Sequence, residues 1–302
     1  MKIKIKDRYQ TILLIIILTY SLFVGLVNPA FFSVETVFDL IRTSSTSLIV
    51  VIGLLLVMIS GGIDVSFMAV ALFGSYTTIK IMFALGINSL IFAFGVSILI
   101  GGLLGLINAL LVNWLKLPPF IITLGTQSLF HGIMTTFIGD KSFGAGVLPS
   151  CLNSFGQATI FSFQTKDGKF GLTVSIIPIL LVGLITWFIL YRTMLGRGII
   201  ALGNSEEAAR RIGFNPFLIR LFVYTYSGML SGLMGIIYVT QVNALYPNKL
   251  VGEELMIVAA AVIGGTKITG GQGKIFGAIL GVLIIYLLNS TLILIGLSSS
   301  WN

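Results

Sequence analysis

The chain has very little charge: only 9% of its 302 residues are Asp, Glu, Lys or Arg, whereas 56% are apolar. Soluble globular proteins carry about 25% charged residues. This chain has too few charged residues to cover the surface of a water-soluble protein, so that class is excluded. A single cysteine excludes a disulfide scaffold, and the abundance of Phe, Ile and Leu excludes disorder. The composition therefore predicts an all-α polytopic membrane protein.

Chemistry-bearing side chains are also scarce, since His131 and Cys151 are the only residues of their types. No acid–base pair, nucleophile–base pair or metal-ligand set can be assembled from them, so we expect neither an enzyme nor a metal site. The Gly270–Lys274 stretch fails the phosphate-loop template, because Ile268 replaces its first glycine and Ile275 its magnesium-binding hydroxyl. We expect the chain to bind no cofactor and to hydrolyse no ATP itself.

Apolar runs predict nine transmembrane helices in one membrane domain that covers residues 1–302. A span needs about 20 apolar residues. Two runs are shorter and are typical of broken helices, which transport proteins tolerate where the backbone lines a protected cavity. The long runs are Tyr9–Val34, Thr43–Ile63, Ile81–Leu115, Leu117–Gly139, Phe170–Tyr191, Leu221–Asn248 and Ile275–Asn302, and the short ones are Val65–Ile79 and Leu255–Thr266.

Basic residues cluster before the first span and in the segment 192–220, which indicates that both lie in the cytoplasm. Six predicted crossings separate the two clusters, and an even number returns the chain to the same side. We therefore expect a cytoplasmic N-terminus, a cytoplasmic loop at 192–220 and an extracytoplasmic loop at 140–169. No basic face carries interleaved aromatic residues, so a nucleic-acid partner is not expected.

Glycine, at 35 copies, forms three small-x-x-x-small pairs inside the spans. Small faces let helices approach closely within a membrane. We expect them to pack helices within one subunit rather than to form a dimer seam. The pairs are Gly101 with Gly105, Gly228 with Gly232, and Gly277 with Gly281.

Residues 201–216 read ALGNSEEAARRIGFNP and predict a short cytoplasmic helix with its own start and stop signals. We expect Asn204 to be the N-cap and Glu207 its capping-box partner. Acidic residues in the first turn and basic residues in the last turn suit the helix dipole, and a glycine supplies the C-cap. The residues of this pattern are Asn204, Glu206, Glu207, Arg210, Arg211 and Gly213.

This segment resembles the EAA motif of ABC-transporter permeases through its Glu207-Ala208-Ala209-x-x-x-Gly213 half, although the downstream I-x-L-P is absent. Three further stretches, in order, are similar to the ribose-type simple-sugar permeases: ISGGIDVS at 59–66, LPPFIITLGT at 117–126, and a glycine-rich block at 252–281. The chain departs from that family at Glu253, where the family has Tyr, and along 140–169. The family usually has ten helices, so we expect either a truncated subunit or one that works with one helix fewer.

The resemblance implies a membrane permease subunit of an ATP-driven importer in the bacterial cytoplasmic membrane. The short helix would dock on a cytoplasmic ATPase, which uses ATP and Mg. The other implied partners are a second copy or a sister permease and an extracytoplasmic sugar-binding protein. A neutral monosaccharide or a similar polyhydroxylated molecule is the expected solute, with nucleosides or branched-chain amino acids as the alternative.

Four polar residues inside apolar runs are candidates for the solute path: Asp64, Asn108, Asn113 and Gln127. Asp64 follows two glycines and suits either a cap for the next helix or a hydrogen-bond acceptor for solute hydroxyls. The three amides suit either contacts between helices or a neutral solute. An ion-coupled carrier would need several ionisable groups in the membrane, and only Asp64 qualifies from the sequence.

Overall fold

The computed structural model of the chain describes residues 5–165 and 168–294. The predicted last span, Ile275–Asn302, is therefore described only as far as residue 294, and Lys2 and Lys4 lie outside the described residues. The expectation that the chain ends one helix short of its family lies outside the described residues as well.

Most of the described residues are helical and their sheet content is confined to one hairpin, which confirms the all-α polytopic architecture. A 3-10 turn at Pro29–Phe32 joins the first two helices, a π-helical turn at Met134–Ile138 extends the fifth, and one antiparallel hairpin pairs β1 (Thr159–Thr165) with β2 (Gly168–Thr173). The helices are α1 Ile5–Val27, α2 Val34–Ile59, α3 Phe67–Leu85, α4 Leu90–Leu115, α5 Pro119–Ile133, α6 Ser150–Gln157, α7 Ile176–Arg192, α8 Met194–Asn204, α9 Glu206–Arg211, α10 Pro216–Val242, α11 Glu254–Ile263 and α12 Ile275–Leu294.

Among the described residues, six helices are long and apolar enough to cross a membrane: α1 to α4, α5 with its π-helical turn, and α10. α7 and α8 pass the same criterion together, as a pair bent by 74°. α11 and the apolar part of α12 are shorter. Each of the nine predicted segments thus contains a helix, while the number of crossings stays a prediction.

Two predicted boundaries between spans are wrong because caps, rather than hydropathy, end these helices. The run Ile81–Leu115 is two helices, since Gly86 closes α3 with φ +64° and the Ser89 hydroxyl caps α4 by accepting from the Phe92 N–H. The segment predicted as the short span Val65–Ile79 belongs to α3, a full span of 19 residues.

Two other spans begin at different residues from those predicted. α2 starts at Val34 rather than Thr43, because Ser33 caps it by accepting from the Thr36 N–H. α7 starts at Ile176, and the predicted beginning of that span, Phe170, lies in β2. Charged residues in the first turns of α2 hid its true start from a search for charge-free runs.

Both predicted loops contain regular structure. The segment 140–169 contains α6, all of β1 and the start of β2, whose register pairs Phe163 with Phe170. The segment 192–220 contains α8 and α9 as well as the first turn of α10. Neither segment is an irregular connection.

α10 lies at the centre of the bundle and packs against α4, α2 and α3. The predicted glycine pairs form this seam: a Cβ on Gly101 would lie 2.2 Å from the Gly228 carbonyl oxygen, and one on Gly105 would lie 2.3 Å from the Tyr224 carbonyl oxygen. Gly281 likewise meets the Ala260 backbone of α11. These contacts confirm that the glycine faces pack helices within one subunit.

The two ends of the bundle differ in the elements that they contain. The basic end contains α8, α9 and the segment 264–274, and the hairpin end contains α6, β1 and β2. α2 finishes at the basic end, where its Ile59 carbonyl accepts a hydrogen bond of 2.8 Å from the Gly271 N–H. A Cβ on Gly203 of α8 would lie 1.8 Å from the same carbonyl oxygen, so three segments meet there.

Candidate functional site

The chain is not helical between α2 and α3, and this break, residues 60–66, lies inside the bundle near its basic end. Gly61 adopts φ +92°, a left-handed conformation that glycine accepts without a steric cost. A Cβ on Gly62 would lie 2.4 Å from the Tyr224 hydroxyl oxygen of α10. The two glycines of the ISGGIDVS stretch therefore permit a sharp turn and a close approach to α10.

Asp64 lies in the break and is only 2% exposed. Its Oδ1 atom accepts hydrogen bonds from the Ser66 N–H (2.8 Å) and the Ser66 hydroxyl (2.7 Å), in the residues directly before α3. The carboxylate thus stabilises the turn that leads into α3, close to the expected capping role. Its expected place beside a solute path is not tested by these contacts and stays a prediction.

α4 and α5 contribute two polar side chains to the same break. The Asn108 amide donates to the Ser66 hydroxyl at 2.6 Å. On α5, the Thr123 hydroxyl accepts from the Val65 N–H and lies within hydrogen-bond distance of the Ile63 carbonyl, both at 3.2 Å. Fully buried Asn108 and Thr123 thereby satisfy backbone and side-chain groups that the missing helix turn leaves open.

Two buried polar atoms beside this break have no hydrogen-bond partner among the described residues: Asn108 Oδ1 and the Tyr224 hydroxyl. More than nine in ten buried polar groups in proteins are paired with protein or water, so each of these two atoms points to a hydrogen-bond partner outside the described residues. We name Asp64, Ser66, Asn108 and Tyr224 the polar cluster. An acceptor, a hydroxyl and a carboxylate suit a ligand that both donates and accepts hydrogen bonds.

A cavity of about 530 Å³ lies at the basic end, and Tyr224 is the member of the polar cluster that lines it. Asn113 lines it, with its amide donating to the Ala109 carbonyl (2.9 Å) and, across to α10, to the Phe217 carbonyl (3.4 Å). Asn113 therefore joins two helices. Glu206 and Arg220 form another part of the cavity wall.

Gln127 is not part of the polar cluster. Its amide donates to Glu254 Oε1 at 2.6 Å, and Glu254 Oε2 accepts from the Gly252 N–H at 2.9 Å. Glu254, the first residue of α11, is buried, so the described residues contain a second buried carboxylate besides Asp64. The sequence offered one sign of this buried acid: Glu254 stands directly before the short apolar run Leu255–Thr266.

The short helix α9 has a different cap from the predicted one. Ser205 is the N-cap, and its hydroxyl accepts from the Ala208 N–H at 3.2 Å. Asn204 is the last residue of α8, donates to the Ile200 carbonyl and packs against Gly271. The predicted Asn204–Glu207 capping box is therefore wrong, because α8 continues one residue further than expected.

The predicted charge gradient along α9 is present. Glu206 pairs with Arg210 at 2.7 Å and Glu207 pairs with Arg211 at 2.5 Å, each four residues apart on one face. Gly213, at φ +89°, follows the end of the helix in the expected left-handed conformation. Acidic first-turn and basic last-turn residues are thus paired with each other as well as with the helix dipole.

Glu206 also forms an ion pair with Arg220 in the second turn of α10. Partial burial raises the pKa of Glu206, but the hydrogen bonds and charges of Arg210 and Arg220 outweigh that effect and leave its pKa below the usual value. The guanidinium groups thus hold Glu206 in its charged form. The sequence indicated Arg220 only as part of a basic segment, and it gave no signal for Tyr224, one turn further along α10.

Within residues 5–165 and 168–294, no group of three His, Cys, Asp or Glu side chains is arranged to hold a metal ion. His131 Nε2 lies 3.1 Å from the Pro247 carbonyl and 2.9 Å from Asn248 Oδ1, so it ties α5 to the segment after α10. Cys151 is half-buried at the start of α6.

The described residues thus form a helical membrane bundle with buried polar atoms at the break between α2 and α3 and a short charged helix at the basic end. The sequence from residue 36 to residue 302 matches the family described as the permease component of the branched-chain amino acid transport system. The chain belongs to this family and is an integral membrane subunit of a transport system.

Several permease proteins of transport and import systems resemble the chain over nearly its whole length. It is 34% identical over 286 residues to the D-allose transport system permease protein AlsC of Escherichia coli, which covers 95% of this chain and 84% of that protein. It is 35% identical to the ribose import permease protein RbsC of Haemophilus influenzae (92% and 84%). It is 30% identical to the autoinducer 2 import system permease protein LsrC of Yersinia pseudotuberculosis (99% and 81%). No solved structure matches the chain.

Proposed function

We propose that the chain is the membrane permease subunit of an ATP-driven importer for a neutral monosaccharide or a similar polyhydroxylated molecule. Relatives that carry the names of allose, ribose and autoinducer 2 permeases support this class of solute. The observation that carries the proposal is the pair of unpaired buried atoms, Asn108 Oδ1 and the Tyr224 hydroxyl, beside Asp64.

Sugar hydroxyls both donate and accept hydrogen bonds, which fits the chemistry of the polar cluster. Asn108 offers an acceptor, Tyr224 offers either role, and the Asp64 carboxylate is an acceptor. A branched-chain amino acid would bring an ammonium and a carboxylate group, and the polar cluster holds no cation for the latter. We therefore favour a neutral solute over the alternative of a branched-chain amino acid.

α9 is proposed as the helix that docks on the ATPase, with Asn204, Glu206, Glu207, Arg210, Arg211 and Gly213 as its docking segment. The ion pair between Glu206 and Arg220 fastens α9 to α10. Tyr224 lies one helical turn beyond Arg220 and touches the break at Gly62. A displacement of α9 would thus be transmitted through α10 to the α2–α3 break. In this proposal α10 has two positions, and the ATPase shifts the balance between them.

The basic end is proposed to face the cytoplasm, because the positive-inside rule places clustered Lys and Arg there. The N-terminus and the ATPase then lie on that side, and the hairpin end meets an extracytoplasmic sugar-binding protein. A second copy or a sister permease would complete the path. ATP and Mg are used by the ATPase, while this chain itself binds no cofactor and catalyses no reaction.

The test is uptake of radiolabelled solutes by bacteria that lack their own ribose and allose permeases and express the chain with its co-purifying partners. We expect uptake of D-ribose or D-allose that stops when cellular ATP is depleted. Comparators are uridine and L-leucine, which represent the alternative solutes. Uptake of L-leucine but of neither sugar would overturn the assignment, and uptake that follows an ion gradient without ATP would indicate a secondary carrier.

A further inference from the structure

Two cavities meet at the basic end of the bundle and share the side chains of Gln10 and Lys274. The first measures about 550 Å³ and lies between α1 and the segment 264–274. The second measures about 690 Å³ and lies between α7 and α12, against Ile52 of α2. Neither cavity includes a member of the polar cluster, so both are separate from the proposed solute path.

Part of the wall of the first cavity is polar and basic. Lys267 and Lys274 line it, and the Lys274 ammonium lies 3.5 Å from Gln10 Oε1. Thr266, which is 3% exposed, also lines it, and its hydroxyl has no hydrogen-bond partner within the described part of the chain. Two ammonium groups with an unpaired buried hydroxyl suit an anionic group that accepts hydrogen bonds.

Glycine backbone lets α1 close the first cavity. Gly265 adopts φ +87°, and a Cβ there would lie 2.9 Å from the ring of Tyr9. The Tyr9 hydroxyl donates to the Ile263 carbonyl at 2.8 Å. The cavity is therefore a built feature of the contact between α1 and the end of α11.

The second cavity is an apolar groove on the outer surface of the bundle. Leu180 and Leu184 of α7 line it and are exposed, which places the groove where lipid chains contact the protein. Gly183 leaves open space, since a Cβ there would meet no atom within 4 Å. The lining runs along α7 from Tyr191 to Ile179, about 18 Å at 1.5 Å per residue, close to half of a hydrocarbon layer about 30 Å thick.

Aromatic and basic side chains mark the junction between the two cavities. Trp187 and Tyr191 lie in the last turns of α7, and the Arg192 guanidinium lies 5.2 Å from the centre of the Trp187 ring. Trp and Tyr are enriched where a membrane meets water, with lysine and arginine just outside. The junction thus lies at the depth of lipid headgroups, with the basic cavity on its watery side and the groove on its hydrocarbon side.

We propose that the two cavities together bind one anionic phospholipid, with its phosphate against Thr266, Lys267 and Lys274 and an acyl chain in the groove beside Gly183. Basic pockets between membrane helices bind such headgroups through charge and hydrogen bonds. The lipid fixes α1 and α12 to α7. The proposal depends neither on the identity of the solute nor on the ATPase.

Native mass spectrometry of the whole chain, stripped of lipid in detergent and titrated with phosphatidylglycerol or phosphatidylcholine, tests the proposal. We expect one phosphatidylglycerol per chain, bound about tenfold more tightly than phosphatidylcholine. The double variant Lys267→Gln, Lys274→Gln should bind phosphatidylglycerol about 10- to 30-fold more weakly. Each basic residue near a membrane surface raises the affinity for an anionic lipid by a factor of about five. Lys249→Gln, which lies outside both cavities, should leave binding unchanged.

A second variant separates a lipid from a free anion. Gly183→Leu fills the groove without changing any charge, so this variant should bind phosphatidylglycerol about tenfold more weakly. Inorganic phosphate at 10 mM should not displace the lipid. Displacement by phosphate together with normal binding by Gly183→Leu would show a free-anion site and overturn the proposal. Equal affinities for phosphatidylglycerol and phosphatidylcholine would overturn the proposal as well. So would a mass spectrum in which the chain is a dimer that retains neither lipid.

Discussion

Glu206 of α9 accepts a hydrogen bond from Arg220 of α10, so the shortest α-helix among the described residues is fastened to the helix at the centre of the bundle. The neighbouring acid differs: Glu207 pairs with Arg211 inside α9, both side chains are 76% exposed, and no ion pair in the described part of the chain joins Glu207 to another helix. Two adjacent glutamates of one helix thus have separate roles, one toward the bundle and one toward the surroundings. The pair provides a matched comparison for the coupling proposal.

Replacing Glu206 by Gln should uncouple transport, whereas replacing Glu207 by Gln should have a smaller effect. Glu206→Gln removes the charge that joins α9 to α10, so we expect solute-stimulated ATP hydrolysis to fall to about a third, allowing for the partial exposure of the pair. Glu207→Gln alters an exposed residue of the docking segment but leaves the link to α10 intact, so it should lower this activity by less. Both variants are measured in proteoliposomes with the ATPase and the binding protein. Equal losses for the two would contradict the role of the Glu206–Arg220 pair.

The attachment of α9 should depend on pH only in acid. The native pKa of Glu206 is lowered from its ordinary value of 4.5, so the pair is fully formed above that pH and weakens as the pH falls below it through the native pKa. Hydrogen exchange of the α9 amides, corrected for the intrinsic rate, should be constant from pH 8 to pH 5 and rise below pH 4.5. In Glu206→Gln this acid-dependent rise should be absent. A rise between pH 5 and pH 8 would point to another group.

Two tyrosines of α10 distinguish a solute contact from a structural one. The Tyr224 hydroxyl has no partner among the described residues, whereas the Tyr226 hydroxyl lies 2.7 Å from the Thr186 hydroxyl. Tyr226→Phe should cost about 1 kcal/mol of stability and leave uptake unchanged. Tyr224→Phe should cost no stability but raise the KM for sugar uptake about tenfold, the effect of one lost hydrogen bond. An unchanged KM in Tyr224→Phe would remove Tyr224 from the solute path.

The glycine seam between α4 and α10 should be intolerant of a single methyl group. Gly101→Ala places a Cβ 2.2 Å from the Gly228 carbonyl oxygen, so we expect destabilisation of about 1–3 kcal/mol and a lower melting temperature in detergent. Gly95→Ala, on the same helix, meets no atom within 4 Å and is the control. It should raise stability slightly, because alanine favours a helix over glycine. Equal melting temperatures for the two variants would argue against the seam.

Hydropathy predicted where helices occur but not where they begin and end. Spans such as α10 and the glycine pairs that pack it were predictable, because a membrane requires long apolar helices and small residues at their contacts. The start of α2 and the division at Gly86 were not. Both depend on a single capping residue, Ser33 or Gly86. A search for charge-free runs of about 20 residues does not detect the effect of one cap.

The candidate site was predictable in its parts rather than in its arrangement. Asp64 and Asn108 stood out as polar residues in apolar runs, and they do share one break through Ser66. Gln127 looked equivalent but pairs with Glu254 on α11. Tyr224 was missed because an aromatic residue in an apolar helix carries no distinguishing pattern. Only the packing of α10 against Gly62 reveals its unpaired hydroxyl.

The most direct test of the central claim is capture of the tagged chain from native membranes in mild detergent, with bound proteins identified by mass spectrometry and assayed for ATP hydrolysis. The account predicts that a soluble ATPase is recovered with the unmodified chain. The same ATPase should be lost when Glu206, Glu207, Arg210 and Arg211 are all replaced by Ala, while the variant keeps its helical content. A folded chain recovered without any ATPase, or an ATPase retained by the fourfold variant, would contradict the account.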